Sequence, residues 1–239
     1  MGAGGSAAAD GDPLARLAVA LDTPDWATFR RWCALFGPRV GALKVGLEAF
    51  ARWGPSGVEE ARKHARELFL DLKLHDIPAT VAGAVAAARE LGVTYLTVHV
   101  AGGRAMLRAA GEAAGEVRLL GVTLLTHLDD ESLAELDLPG GSRDRVVRWA
   151  ALAGRAGCAG VICSPREAAA LRARHPRPFL LVTPGIRLGG ERGDDQRRTA
   201  GPAEALAAGA DLLVVGRPLT RAADPEAALD RFARAALRR

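Results

Sequence analysis

The stretch LFLDLKLHDIPATV, Leu68 to Val81, sets two carboxylates and an ammonium group among Leu, Phe and Ile side chains. Residues two apart on a strand share a face, so Asp71 and Lys73 are expected to point the same way and to share one microenvironment. An unpaired buried charge is costly, and Asp71, Lys73 and Asp76 therefore require mutual pairing or a ligand. The chain contains three lysines, Lys44, Lys63 and Lys73, among 32 basic residues, and Lys44 and Lys73 fall in apolar, strand-like segments. Arginine stays protonated, whereas a lysine in a site can deliver or accept a proton, so these two positions read as chosen for chemistry.

Elements able to position these groups recur along the chain. Eight apolar runs bounded by turn residues begin at Leu17, Ala42, Leu68, Tyr95, Leu119, Gly160, Phe179 and Asp211. Between them lie Ala-, Arg- and Glu-rich segments of helical periodicity, such as Val81 to Leu91 and Arg145 to Ala156. Near-continuous apolar strands alternating with helices imply a parallel sheet covered on both faces. The expected fold is an α/β single-domain (β/α)8 TIM barrel over residues 13–239. Residues 1–12, MGAGGSAAADGD, have neither the basic nor the apolar region of a signal peptide and read as a disordered tail. No apolar run reaches transmembrane length, so no membrane is expected.

On such a barrel the polar residues at strand carboxyl ends converge on one mouth. They are Asp22, Lys44, Asp71, Lys73 and His99, then Thr126 and His127 after the fifth strand, Arg187 after the seventh, and Gly216 with Arg217 after the eighth. TPGIR and VVGRPLT put glycines, backbone amides and arginines in the two loops where barrels usually hold a phosphate. Gln196, in GDDQRR, can reach the same group if the Leu188 to Thr199 connection closes over it. A second long connection, Leu128 to Asp144, reads as a loop or a short extra helix.

Composition narrows the choice of partner. With 49% hydrophobic residues the 239-residue chain can bury a large core. A net charge of +4 with only 5% aromatics, and arginines interspersed with acids, disfavours nucleic acid and suits a phosphorylated substrate. Cys33, Cys158 and Cys163 form no CxxC pair, so reduced thiols and a cytoplasmic location are expected.

The order LAVALD, KVGLEAF, DLKLHDIPATV, VTLLTHL, VTPGIR, GDDQRR, VVGRPLT closely resembles the orotidine 5′-phosphate decarboxylase family of the bacterial type, from about Leu17 to Thr220. The resemblance implies conversion of orotidine 5′-phosphate to uridine 5′-phosphate (UMP) and CO2, the last step of de novo UMP biosynthesis. It implies no metal and no cofactor. By matched motif, Asp22 and Lys44 would contact the ribose hydroxyls, and Lys44 would complete a catalytic charge array with Asp71 and Lys73, Lys73 being the proton donor to C6. Asp76 and Thr80 would enter the neighbouring subunit's site in a homodimer. Thr126 would bind the pyrimidine, and Arg187, Gln196, Gly216 and Arg217 the phosphate. The chain departs from the family pattern at Leu74, Ala79, His127 and Gly201-Pro202, and the catalytic set is intact.

DxKxxD alone also fits a metal-dependent sugar-phosphate decarboxylase or aldolase, although Lys44 and Lys73 would compete with a hard cation for the carboxylates. A Schiff-base aldolase acting through Lys73 and a non-catalytic nucleotide or RNA binder are further readings, separable by borohydride trapping and by a salt-sensitive gel shift.

Overall fold

The computed structural model describes residues 12–188 and 199–237. Eight parallel strands pair in sequence order and close on themselves: β1 Leu17–Ala20, β2 Ala42–Gly46, β3 Glu67–Leu74, β4 Tyr95–His99, β5 Arg118–Val122, β6 Gly160–Ile162, β7 Leu180–Thr183 and β8 Leu212–Val215. Closure runs through Leu17 opposite Leu213 and Ala18 opposite Val214. All eight expected runs are strands, and Asp22, Leu125 and Gly216 lie past the strand ends, where the chain turns into the loops of the mouth.

Each strand is followed by helix. The helices are α1 Trp26–Phe36, α2 Leu47–Arg62, α3 Pro78–Glu90, α4 Gly103–Ala114, α5 Asp130–Glu135, α6 Ser142–Arg155, α7 Pro165–Arg172, α8 Pro202–Ala207, α9 Arg217–Thr220 and α10 Pro225–Leu237. Local chemistry sets where they begin. Asp25 accepts from the Thr28 amide at 2.7 Å to cap α1, Ser164 and Glu167 form a reciprocal capping box on α7, and Pro78 opens α3. The long connection after β5 holds the short helix α5, capped by Asp129, whose carboxylate accepts from the Ser132 amide.

Burial on both faces explains the apolar strands. One cluster, including Leu17, Val19, Leu43, Val45, Leu70 and Leu96, packs outward between barrel and helices. A second fills the barrel interior with Ala18, Ala42, Phe69, Tyr95, Leu120, Val182 and Leu212. Side chains alternate between these layers, so β2 sends Leu43 and Val45 outward and Ala42 and Lys44 inward. The inner cluster plugs the barrel and forces anything binding there to its carboxyl end. Cys33, Cys158 and Cys163 are free and buried, and burial pushes the thiols of Cys33 and Cys158 up to about 12, leaving both inert.

Candidate active site

Above the plug lies a cavity of about 780 Å³, floored by Ala20, Phe69, Val122, Ile162 and Val214. Asp22 lines it from just past β1, Lys44 from β2, Asp71 and Lys73 from β3, Thr126 from the loop after β5, Arg187 from the loop after β7, and Gly216 with Arg217 from just past β8, the strand that pairs with β1. Gly185 shapes the loop after β7 with a φ of 83°, a left-handed conformation that favours glycine. Gln196 lies outside the described residues, as does most of the Leu188 to Thr199 connection.

The four charges beside the floor alternate in sign. Lys44 Nζ lies 4.0 Å from Asp22 Oδ2 and 3.2 Å from Asp71 Oδ2, and Lys73 Nζ lies 2.9 Å from that same oxygen. Lys44 and Asp71 are buried, at 7% and 8% exposure, so each depends on the opposite charges beside it to remain charged. Burial opposes the charge on Asp71, but Lys44 and Lys73, with hydrogen bonds from Lys73 and Thr97, outweigh it and hold the carboxyl down at about 2. Burial likewise opposes the charge on Lys44, and the carboxylates of Asp71 and Asp22 overcome it, so its pKa is raised. Lys63, by contrast, pairs with Glu60 at 2.7 Å on the outer surface, its own side chain two-thirds exposed.

Asp71 and Lys73 do converge, but not through the regular strand alternation expected of them. The β3 register breaks after Leu70, which lies opposite Leu96; Leu74, not Leu72, then lies opposite Val98. Lys73 sits inside this bulge with a φ of 51°, one of two non-glycine residues with positive φ among those described. A side-chain-bearing residue held there costs about 1–3 kcal/mol, and such strain persists only where surrounding contacts over-determine it. Two contacts do so here. The Lys73 amide donates to Thr97 Oγ1 at 2.8 Å, and the Thr97 hydroxyl donates to Asp71 Oδ1 at 2.9 Å.

Thr97 was not singled out by the sequence, although a threonine inside the apolar run YLTVH, two residues before His99, was a usable signal. His99 was singled out and does not line the cavity. Its ring packs against that of His75 with centroids 5.3 Å apart, and burial, followed by the charges of His75 and Lys73, lowers its pKa. Gly46 was also missed. A Cβ on it would stand 2.6 Å from Asp22 Oδ1 and 3.0 Å from Lys44 Nζ, so the Asp22–Lys44 pair occupies space that any larger residue would need. Asp76, on the turn into α3 beside Ile77, which is 67% exposed, and Thr80, in the first turn of α3, are exposed and outside the cavity lining. His127 is exposed as well.

Donors for a cation are sparse. Among the described residues no three of His, Cys, Asp and Glu cluster closely enough to ligate a metal. What the arrangement can do is hold an anionic group near Arg187 and Arg217 while presenting an ammonium group, backed by a carboxylate, to an atom over the apolar floor.

Comparisons with known proteins agree over nearly the whole length. Residues 15–232 match the profile described as Orotidine 5′-phosphate decarboxylase / HUMPS family. The chain is 55% identical over 216 residues to the orotidine 5′-phosphate decarboxylase of Thermobifida fusca (strain YX), covering 90% of this chain and 92% of that one. It is 51% identical over 217 residues to that of Anaeromyxobacter dehalogenans (strain 2CP-1), covering 90% and 96%. The crystal structure of orotidine 5′-phosphate decarboxylase from Lactobacillus acidophilus superposes with a TM-score of 0.81 at 34% identity, covering 93% of this chain and 99% of that one.

Proposed function

The chain belongs to the orotidine 5′-phosphate decarboxylase / HUMPS family, and from that premise we propose that it converts orotidine 5′-phosphate to UMP and CO2 without metal or cofactor. In biosynthetic terms this is the step that completes UMP. The observation that carries the reading is the alternating array Asp22, Lys44, Asp71, Lys73 lining a cavity that Arg187 and Arg217 also line.

In the reaction the bond between C6 and its carboxylate breaks, CO2 departs, and the electron pair stays on C6 in an orbital with little resonance relief. Stabilisation has to be selective for that developing carbanion. The Lys73 ammonium meets this need, first as a positive charge beside C6 and then as the acid that gives C6 its proton. The neutral amine recovers its proton from solvent. Asp71 holds Lys73 in place and carries no proton at neutral pH, its pKa being about 2. Each tenfold in rate requires about 1.4 kcal/mol, so a single ammonium worth several kcal/mol cannot supply the whole acceleration, and binding of the phosphate has to contribute.

The remaining roles are those that the family resemblance implies, and the cavity lining of Asp22, Lys44, Thr126, Arg187, Gly216 and Arg217 supports them. Asp22 and Lys44 take the ribose hydroxyls, Thr126 the pyrimidine, and Arg187, Gly216 and Arg217 the phosphate, joined by Gln196 of the neighbouring connection. Asp76 and Thr80 serve the site of a second copy in a homodimer, which accounts for their exposure here together with that of Ile77 and, at the mouth, of Leu47 at 55%. No helix among the described residues is long and apolar enough to cross a membrane, and three buried thiols accord with a cytoplasmic protein.

The test is to mix chelator-treated protein with orotidine 5′-phosphate and follow the orotate absorbance and the products. Stoichiometric UMP and CO2 without added metal is the expected result. Intact substrate, with turnover only of a sugar phosphate in the presence of Mg2+, would move the chain to the metal-dependent chemistry that its DxKxxD segment also permits.

A further inference from the structure

We propose that Thr97 is a positioning residue for the decarboxylation chemistry, its single hydroxyl fixing both the strained backbone of Lys73 and the orientation of the Asp71 carboxylate. The proposal rests on the assignment of Lys73 as the acid and names the group that sets where that acid stands.

Three observations carry it. The break in the β3–β4 register leaves the Lys73 amide without a regular ladder partner, and Thr97 Oγ1 takes that amide at 2.8 Å. Because the oxygen is accepting, its own hydrogen is directed elsewhere, and it goes to Asp71 Oδ1 at 2.9 Å. Asp71 is thereby held by one oxygen while its other, Oδ2, receives both ammonium groups, Lys73 at 2.9 Å and Lys44 at 3.2 Å. A carboxylate free to turn about its terminal bond could offer either oxygen; the hydroxyl removes that freedom.

Burial supports an indirect role. Thr97 is 0% exposed and does not line the cavity, so it reaches substrate only through Asp71 and Lys73. Packing alone would be met by valine, which has the same shape and suits a strand at least as well. Valine would leave the Lys73 amide and Asp71 Oδ1 without these partners in a buried site. Lys73 would then be free to leave a conformation that its side chain disfavours.

The experiment compares wild type, Thr97→Val and Thr97→Ser by steady-state kinetics on orotidine 5′-phosphate and by hydrogen exchange at the Lys73 amide. For Thr97→Val we expect kcat to fall about 10- to 100-fold with KM changed less than about threefold, since misplacement of the acid leaves the phosphate contacts intact. Thr97→Ser should restore most of kcat. Exchange at the Lys73 amide should be slow in wild type and Thr97→Ser and fast in Thr97→Val. Wild-type kcat in Thr97→Val overturns the proposal, as do equal losses of kcat and Tm in the valine and serine variants, which would mean packing alone. If the valine variant does not fold, Thr97→Ala replaces it under the same criteria, and a rapidly exchanging Lys73 amide in wild type is sufficient to overturn the clamp. A wild type that leaves orotidine 5′-phosphate intact overturns instead the reading of function beneath the proposal, and the exchange data then judge the clamp separately.

Discussion

At the amino end of the barrel, the Tyr95 hydroxyl donates to Glu67 Oε2 at 2.7 Å and accepts from Arg118 Nη1 at 3.2 Å, while at the carboxyl end Lys44, Lys73 and Thr97 converge on Asp71. Both networks tie β3 to β4, and the residues in both include a carboxylate, a hydroxyl and a cation. They differ in solvation and in the choice of cation. Arg118 is half exposed and Glu67 about a third exposed, so water screens their 3.7 Å pair and its contribution is small. Burial, together with the Glu67 carboxylate, raises the pKa of the Tyr95 phenol, so it remains a donor. The carboxyl-end charges are mostly buried and depend on one another, and their cations are lysines, which can give up a proton where arginine cannot. The amino end closes the barrel; the carboxyl end holds reactive charge at some cost in strain, seen in the positive φ of Lys73.

The sharpest way to separate the two ends is to remove one cation from each. Lys73→Ala should lower turnover of orotidine 5′-phosphate by at least about 10⁴-fold, with UMP affinity by calorimetry changed less than about tenfold. Arg118→Ala should leave turnover unaltered, and comparable losses in both variants would erase the distinction. Next in size is a stability effect. Asp71→Asn leaves two lysines without their shared carboxylate, and urea unfolding should show a loss of about 3–5 kcal/mol.

Arg217→Ala tests the cationic part of the cavity lining after β8. Loss of a charge-assisted contact to phosphate should weaken UMP binding about 10- to 100-fold while leaving the affinity for uridine unaffected. A pH effect follows from Asp71, whose folded pKa of about 2 lies below its ordinary 3.8. A depressed carboxyl stabilises the fold fully above the ordinary value and loses that contribution as pH falls through the folded one. Between about pH 4 and pH 2 wild type should therefore lose about 2 kcal/mol that Asp71→Asn does not lose, as read from the difference between their urea curves. The smallest effect belongs to the amino end. Tyr95→Phe should cost about 1 kcal/mol of stability and leave kcat within about twofold, and a larger loss of kcat would show that the two ends are coupled.

The sequence made the barrel legible because burial on both faces leaves a strong mark, eight apolar runs at regular spacing. It made the charged residues of the site legible for a related reason, since Lys44, Asp71 and Lys73 are conspicuous inside such runs. The convergence of Asp71 and Lys73 was expected from simple alternation, whereas the structure reaches it through a bulge. A bulge leaves almost no trace in composition, because its stabilising partner, Thr97, lies on another strand 24 residues away. Gly46 was unreadable for a similar reason: its role is the space it leaves to Asp22 and Lys44, and that space exists only once β1 and β2 lie side by side. For His99 a place at a strand end left its direction open, and the structure turns its ring to His75 and away from the cavity.

The most direct test of Lys73 as the acid uses the reverse of its proposed step. A group that gives a proton to C6 of the nascent product also removes one from UMP, so the protein in D2O should exchange the C6 hydrogen of UMP for deuterium, followed by NMR over long incubation. The account predicts exchange by wild type and none above the uncatalysed rate by Lys73→Ala at saturating UMP. Exchange at the wild-type rate by Lys73→Ala would contradict it.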